Sequence, residues 1–157
     1  MALESGKYTI ISKLNDGSVG RRVAEDRSGN PKGIFKLAKD MGPYVTIWEV
    51  EKLENGNYKF KANGSVVGAI NGLLWAIILE NQIENATTVE WTLKRDERDT
   101  DGNAYVVMAA SQQVGWVAPT GEDEQIAVKP ILVGLTIPPT FSPSEVFVFK
   151  KWEQESE

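Results

Sequence analysis

Tyr8, Tyr58 and Tyr105 each stand two or three residues after a glycine, at Gly6, Gly56 and Gly102, and each opens a run rich in β-branched and aromatic residues. The tyrosines are 50 and 47 residues apart, and the apolar segments that close the three spans carry Trp48, Trp91 and Phe147. Recurrence at such an interval is the mark of a supersecondary unit used three times. Within each span the apolar runs are short and separated by turn residues, which is strand patterning. They fall at 7–12, 21–24, 33–37 and 44–50, at 57–62, 66–70, 73–79 and 88–93, and at 102–108, 115–117, 125–128 and 145–149. Two all-β architectures accommodate this pattern: a β-trefoil, in which three units of about four short strands close around a pseudo-threefold axis, and an all-β sandwich. Either way one domain is expected over 1–157, with units at approximately 6–54, 55–99 and 100–152 and a short acidic tail at 153–157.

The chain has neither cysteine nor histidine. Disulfides, thiol catalysis and thiolate metal sites are thereby excluded, and so are a Ser-His-Asp triad and the common general base near neutral pH. An enzyme is not expected, nor a cofactor. A net charge of −5 argues against nucleic acid as a partner, because phosphates call for a broad basic face. The longest apolar run, 73–79, is far short of a membrane helix. The first residues lack the basic and apolar regions of a signal peptide, so a cytoplasmic location is expected. A monomer is expected as well.

Residues 95–103 place oxygen ligands at alternate positions, but Ala104 follows Asn103 where a calcium loop needs glycine. A solvated hairpin turning at Asp101-Gly102 is expected there, with no metal. Glu122, Asp123 and Glu124 read as a solvated loop, and Trp75 and Trp116 as core residues rather than sugar-stacking platforms.

That leaves residues 24–33, Ala-Glu-Asp-Arg-Ser-Gly-Asn-Pro-Lys-Gly, between two strand-like runs. Gly29, Asn30 and Pro31 forbid regular structure. Residues 21–39 hold Arg21, Arg22, Arg27, Lys32, Lys36 and Lys39 against only Glu25 and Asp26, a basic stretch in an acidic protein. The residues alone allow two readings: an exposed binding loop, or a turn whose carboxylates bond nearby amides.

Several further motifs occur together in order: Leu3-Glu4-Ser5-Gly6-Lys7-Tyr8, Ala24-Glu25-Asp26-Arg27-Ser28, Asn30-Pro31-Lys32, Gly115-Trp116-Val117-Ala118-Pro119, Glu124-Gln125-Ile126 and Pro138-Pro139-Thr140-Phe141. By these the chain resembles, from end to end, the mushroom β-trefoil serine protease inhibitors, the cospin and cnispin group called mycospins. The resemblance implies a disulfide-free trefoil from a fungal fruiting body that inhibits trypsin-like serine proteases reversibly. The implied protease-binding loop lies between the second and third strands and comprises Arg27, Ser28, Gly29, Asn30, Pro31 and Lys32. The specificity role falls on Asn30. Arg27 and then Lys32 follow, because an acidic specificity pocket prefers a cation. Gly29 and Gly33 depart from the family pattern, where a larger apolar residue and a basic one are expected. A secondary loop, Gly134, Leu135, Thr136 and Ile137, would suit a chymotrypsin-like pocket through Leu135, or else pack against the barrel. Lys129-Pro130 is a further basic candidate. Two other functions are carried alongside, a carbohydrate-binding trefoil and a cysteine protease inhibitor. Against the first, no Gln-x-Trp repeat of the ricin kind occurs in any unit.

Overall fold

The computed structural model describes residues 3–110 and 113–152, so the acidic tail at 153–157 lies outside the described residues. The described residues are all-β apart from three short 3₁₀ turns. The first third holds strands β1 (Gly6–Ser12), β2 (Val19–Gly20), β3 (Lys32–Gly33), β4 (Phe35–Lys36) and β5 (Trp48–Lys52). Next come β6 (Tyr58–Ala62), β7 (Ser65–Ile70), β8 (Leu73–Ile77) and β9 (Trp91–Arg95). The last third holds β10 (Ala104–Ala109), β11 (Val114–Val117), β12 (Glu124–Gln125), β13 (Ala127–Pro130), β14 (Val133–Gly134), β15 (Thr140–Phe141) and β16 (Phe147–Lys151).

Six of these strands close a ring through the antiparallel pairings β1–β5, β5–β6, β6–β9, β9–β10, β10–β16 and β16–β1. A closed ring has no free edge, which separates this barrel from a two-sheet sandwich. The register explains the recurring aromatics: Tyr8 faces Trp48, Tyr58 faces Trp91 and Tyr105 faces Phe147. Residues directly opposite in an antiparallel pair lie on one face of the sheet, and all six are buried.

Three further pairs, β2–β4, β7–β8 and β11–β13, stand off the ring. They are tied to its aromatics: the Trp48 indole N–H donates to the Val19 carbonyl (2.9 Å) and that of Trp91 to the Val67 carbonyl (3.2 Å). Phe147, the third of the set, has no such donor. In its place Trp116 of β11 enters the centre, with ring centroids 5.6 Å from Trp48, 5.7 Å from Trp91 and 5.5 Å from Phe147. Edge-on and tilted packing at these distances suits the aromatic quadrupoles.

Several strand boundaries differ from the sequence reading. Residues 21–24 are not a strand; the ladder is confined to Val19–Gly20, because the Arg21 N–H turns to the Thr46 side chain instead (2.8 Å). The run at 44–50 begins with a 3₁₀ turn, Gly42–Tyr44, in which Pro43 cannot extend a ladder, and pairing starts only at Trp48. The run at 33–37 breaks at Ile34: β3 pairs with β8, and β4 with β2 and β12. Trp116 is core, as expected. Trp75 is only half-buried, with its indole N–H on the Ile70 carbonyl (3.2 Å).

Candidate functional site

The polar stretch that follows β2 arches from Arg21 to the start of β3 and is clamped at both ends. At its entrance the Arg21 guanidinium forms a two-pronged pair with Glu25 (2.7 and 3.1 Å). Its remaining nitrogen donates to the Ala62 carbonyl (3.1 Å) and the Ser65 hydroxyl (3.3 Å), beyond the loop. A planar fork with several fixed donors holds a loop base better than a single point charge does. Arg22 bonds the Asp123 carboxylate (2.9 Å) while its guanidinium lies 3.9 Å from the Phe35 ring centre. At the exit, Lys32 and Gly33 pair with Ala76 and Trp75 of β8.

Between these clamps the loop bonds to itself. Asp26 accepts from the Ser28 amide (2.9 Å), the Ser28 hydroxyl and the Lys32 ammonium. Ser28 Oγ in turn accepts from the Asn30 amide (3.2 Å) and from Lys32 (3.2 Å). The Lys32 ammonium is the chief cause that holds the Asp26 carboxyl well below the usual carboxylate range, followed by the two bonds from Ser28. This small network makes the loop's shape a property of the free protein.

The network also sorts the expected site residues. Arg27, Ser28 and Asn30 are exposed, Gly29 and Pro31 half-buried. Lys32 is only 7 % exposed, and its ammonium is turned inward. The sequence reading of Lys32 as a third specificity residue is therefore corrected: it braces the loop and presents no side chain outward. The apparent basic patch shrinks for the same reason. Arg21, Arg22 and Lys32 are each paired with a carboxylate, and Lys36 is buried with its ammonium on the Thr120 carbonyl (3.1 Å). Among the described residues of the loop, Arg27 is the cation without a partner.

The glycines at 29 and 33 have spatial explanations. A Cβ on Gly29 would lie 2.7 Å from Leu79 Cδ1, and one on Gly33 would lie 2.5 Å from Phe35 Cε1. Neither glycine has a positive φ. Neighbouring side chains fill the space that a larger residue at either position would need.

Elsewhere, Asp99 of the 95–103 hairpin accepts from Lys13 (2.9 Å) and the Gly102 amide (3.1 Å), and Asp96 from the Arg98 amide (3.1 Å), which is turn chemistry. Lys129 lies within β13, opposite Gly115, and is not on a loop. The hairpin holding Gly134, Leu135, Thr136 and Ile137 does not pack against the barrel: Leu135 is 102 % and Ile137 100 % exposed.

Sequence reasoning missed the clamps: Thr46, Ala62, Ser65, Leu79 and Asp123. Thr46, Ala62, Ser65 and Asp123 lie between 25 and 101 residues from the loop arginines they hold, and Leu79, which holds no arginine, lies far from Gly29, so no local pattern announces them.

The chain matches the Peptidase inhibitor I66 family over residues 1–151. It belongs to that family. A relative named as a serine protease inhibitor, from Lentinula edodes, is 34 % identical over 152 residues, covering 97 % of this chain and all of its own. A solved proteinase inhibitor from Coprinopsis cinerea superposes with a TM-score of 0.84 at 32 % identity, covering 96 % of this chain and all of that one. These relatives are thus protease inhibitors, not enzymes, and the resemblance read from the motifs holds. The fold also matches the BEL β-trefoil, with a TM-score of 0.61 at 11 % identity over 96 % of this chain and 95 % of that one, a likeness of fold alone.

Proposed function

We propose that this I66 member is a reversible inhibitor of trypsin-like serine proteases that docks residues 27–32 in the protease cleft. The observation that carries the reading is the closed Asp26–Ser28–Lys32 network beneath an exposed Arg27–Asn30 crest. A loop held in its docking shape before contact loses little conformational entropy on binding, so an interface of roughly 800 Å² per partner suffices for tight association. Asn30 leads as the specificity residue. Its amide is fixed by Ser28, and Pro31 after it makes the following bond a rigid tertiary amide, poorly suited to cleavage. Arg27 is the second candidate, since an acidic specificity pocket attracts the loop's unpaired cation.

The loop is mounted on a single β-trefoil domain of three pseudo-repeats, approximately 6–54, 55–99 and 100–152. The matched aromatic pairs Tyr8–Trp48, Tyr58–Trp91 and Tyr105–Phe147 support that division. The protein works as a monomer in the fungal cytoplasm, a setting in keeping with its cysteine-free composition and the fungal source of its relatives.

The test is a titration of trypsin with the parent protein and with Asn30→Ala and Arg27→Ala. The parent inhibits at or below micromolar concentration, and Asn30→Ala raises the inhibition constant by roughly ten-fold or more, as loss of a central contact does. Unchanged trypsin activity in excess inhibitor rejects the target; equal inhibition by parent and both variants rejects the loop.

A further inference from the structure

We infer that the end of the barrel where β1 begins and β16 finishes holds a binding site for a small carboxylate with an apolar body, formed by Arg95, Lys151 and the Tyr105 hydroxyl. None of the residues that line it belongs to the loop at 24–33, and the inference does not depend on protease inhibition.

At this end of the ring β1, β6 and β10 start, with Tyr8, Tyr58 and Tyr105 among their first residues, while β5, β9 and β16 each finish on a cation, Lys52, Arg95 and Lys151. The register sets every tyrosine opposite one of those cations: Tyr8 opposite Lys151, Tyr58 opposite Lys52 and Tyr105 opposite Arg95. Directly opposed residues share a face of the sheet, and the buried tyrosines occupy the inner one, so the three cations rim the barrel mouth.

The start of the chain then treats the three positions differently. The carbonyl of Leu3, itself buried, accepts the Tyr58 hydroxyl (2.6 Å), and the Glu4 carbonyl accepts that of Tyr8 (2.8 Å). Tyr105 is only 4 % exposed, yet its hydroxyl donates to no group among the described residues. It lines a cavity of about 370 Å³ together with Leu3, Glu4, Tyr8, Arg95 and Lys151. Glycines let both cations lean over this space: a Cβ on Gly102 would lie 3.4 Å from an Arg95 guanidinium nitrogen, and one on Gly6 would lie 4.0 Å from Lys151 Cε. Burial pushes the Tyr105 phenol up and the Arg95 guanidinium draws it back, so that charge is felt at the hydroxyl. Neither Arg95 nor Lys151 belongs to an ion pair among the described residues.

Charge and shape choose the occupant. Arg95 and Lys151 against Glu4 leave a net positive charge of one, which a monoanion neutralises and a phosphate dianion overshoots. A guanidinium fork matches the two oxygens of a carboxylate, and a lysine and a phenol can donate to the same oxygens. Such a ligand also supplies the acceptor that the buried Tyr105 hydroxyl lacks. Leu3 and the rings of Tyr8 and Tyr105 offer apolar surface to the rest of the molecule. A cavity of this volume stands at the small end of ligand pockets and takes a small molecule rather than a folded partner.

Benzoate, its neutral isostere benzamide and phenyl phosphate are titrated into the full-length protein at neutral pH, followed by calorimetry and by the amide NMR spectrum. Benzoate binds saturably at millimolar concentration or below and shifts the amides of Gly6, Gly102 and Tyr105; benzamide does not bind, and phenyl phosphate binds more weakly. Arg95→Gln weakens benzoate binding by roughly ten-fold or more, and Lys151→Gln and Tyr105→Phe weaken it several-fold. Lys52→Gln, at the position that Leu3 covers, leaves it within about two-fold, as loss of an exposed charge outside the site does. Tyr105→Phe keeps the thermal midpoint of the parent, whereas Tyr58→Phe, which loses its bond to Leu3, lowers it. The inference is overturned if benzoate does not bind, if benzamide binds equally well, or if phenyl phosphate binds more tightly. It is overturned equally if the shifts fall around Arg27, if Lys52→Gln costs as much as Arg95→Gln, or if Tyr105→Phe binds benzoate as the parent does.

Discussion

Leu79 occupies the space that a side chain at Gly29 would fill, its Cδ1 2.7 Å from the position of a Cβ there. Leu79 follows β8 and is 45 % exposed, so it can turn aside. Gly29→Leu therefore lowers stability only slightly but tilts the crest of the loop, weakening trypsin inhibition several-fold. Adding Leu79→Ala vacates the space and restores inhibition. The check is a double-mutant cycle on the inhibition constant, with a coupling of about 0.5–3 kcal/mol expected for side chains in contact. Strict additivity of the two changes would refute the contact.

Asp26 and Lys32 make the loop's behaviour in acid predictable. The Asp26 pKa is lowered in the folded protein, principally by Lys32. A depressed carboxylate contributes stability that is complete above its unfolded value near about 4 and is lost as the pH falls through the folded value. The thermal midpoints of the parent and Asp26→Asn should thus differ by a constant amount from neutrality to about pH 4.5 and converge in stronger acid. A difference that stays constant down to pH 2 would show that Asp26 does not titrate in this way. Because Asp26 is solvated, the change in stability is small, and the larger effect of Asp26→Asn is weaker inhibition through a looser loop.

Gly20 sets where the loop leaves the barrel. A Cβ there would fall 2.0 Å from Thr46 Oγ1 and 2.4 Å from Thr46 Cβ. Thr46 is β-branched, buried and stiff, and its hydroxyl accepts the Arg21 amide. Gly20→Ala is expected to cost about 1–3 kcal/mol, the range for overpacking a core, and to weaken inhibition by shifting the Arg21 clamp. Urea unfolding and the trypsin titration measure the two effects separately.

Trp116 is the packing centre of the barrel, and its indole N–H has no partner among the described residues. Trp116→Ala opens a large cavity and should cost about 3–5 kcal/mol. Trp116→Phe keeps most of the contacts and removes an unsatisfied donor, so a loss below about 1.5 kcal/mol is expected. Comparable losses for the two variants in denaturant titrations would mean that the indole finds a partner.

Much of the barrel was legible from local pattern, since Tyr8, Tyr58 and Tyr105 mark strand starts by spacing and chemistry alone. Boundaries were misread where a side chain competes for a backbone amide, as Thr46 does at Arg21, or where a strand changes partner, as at Ile34 between β3 and β4. The loop at 24–33 was legible as irregular because Gly29, Asn30 and Pro31 exclude a ladder. Which of its cations faces solvent was not.

By itself the sequence determined an all-β chain without thiol or imidazole chemistry, the aromatic positions that line its barrel, and the motifs that tie it to a family of protease inhibitors. These rest on residue type and short-range spacing, which act through local dihedral preference and side-chain alternation. Tertiary structure decided that Lys32 turns inward while Arg27 stays exposed, that Leu79 takes the place of a side chain at Gly29, and that Leu135 stands clear of the barrel. Each depends on contacts or exposure set by residues distant in the chain, and closing a barrel is what brings such residues together or keeps them apart.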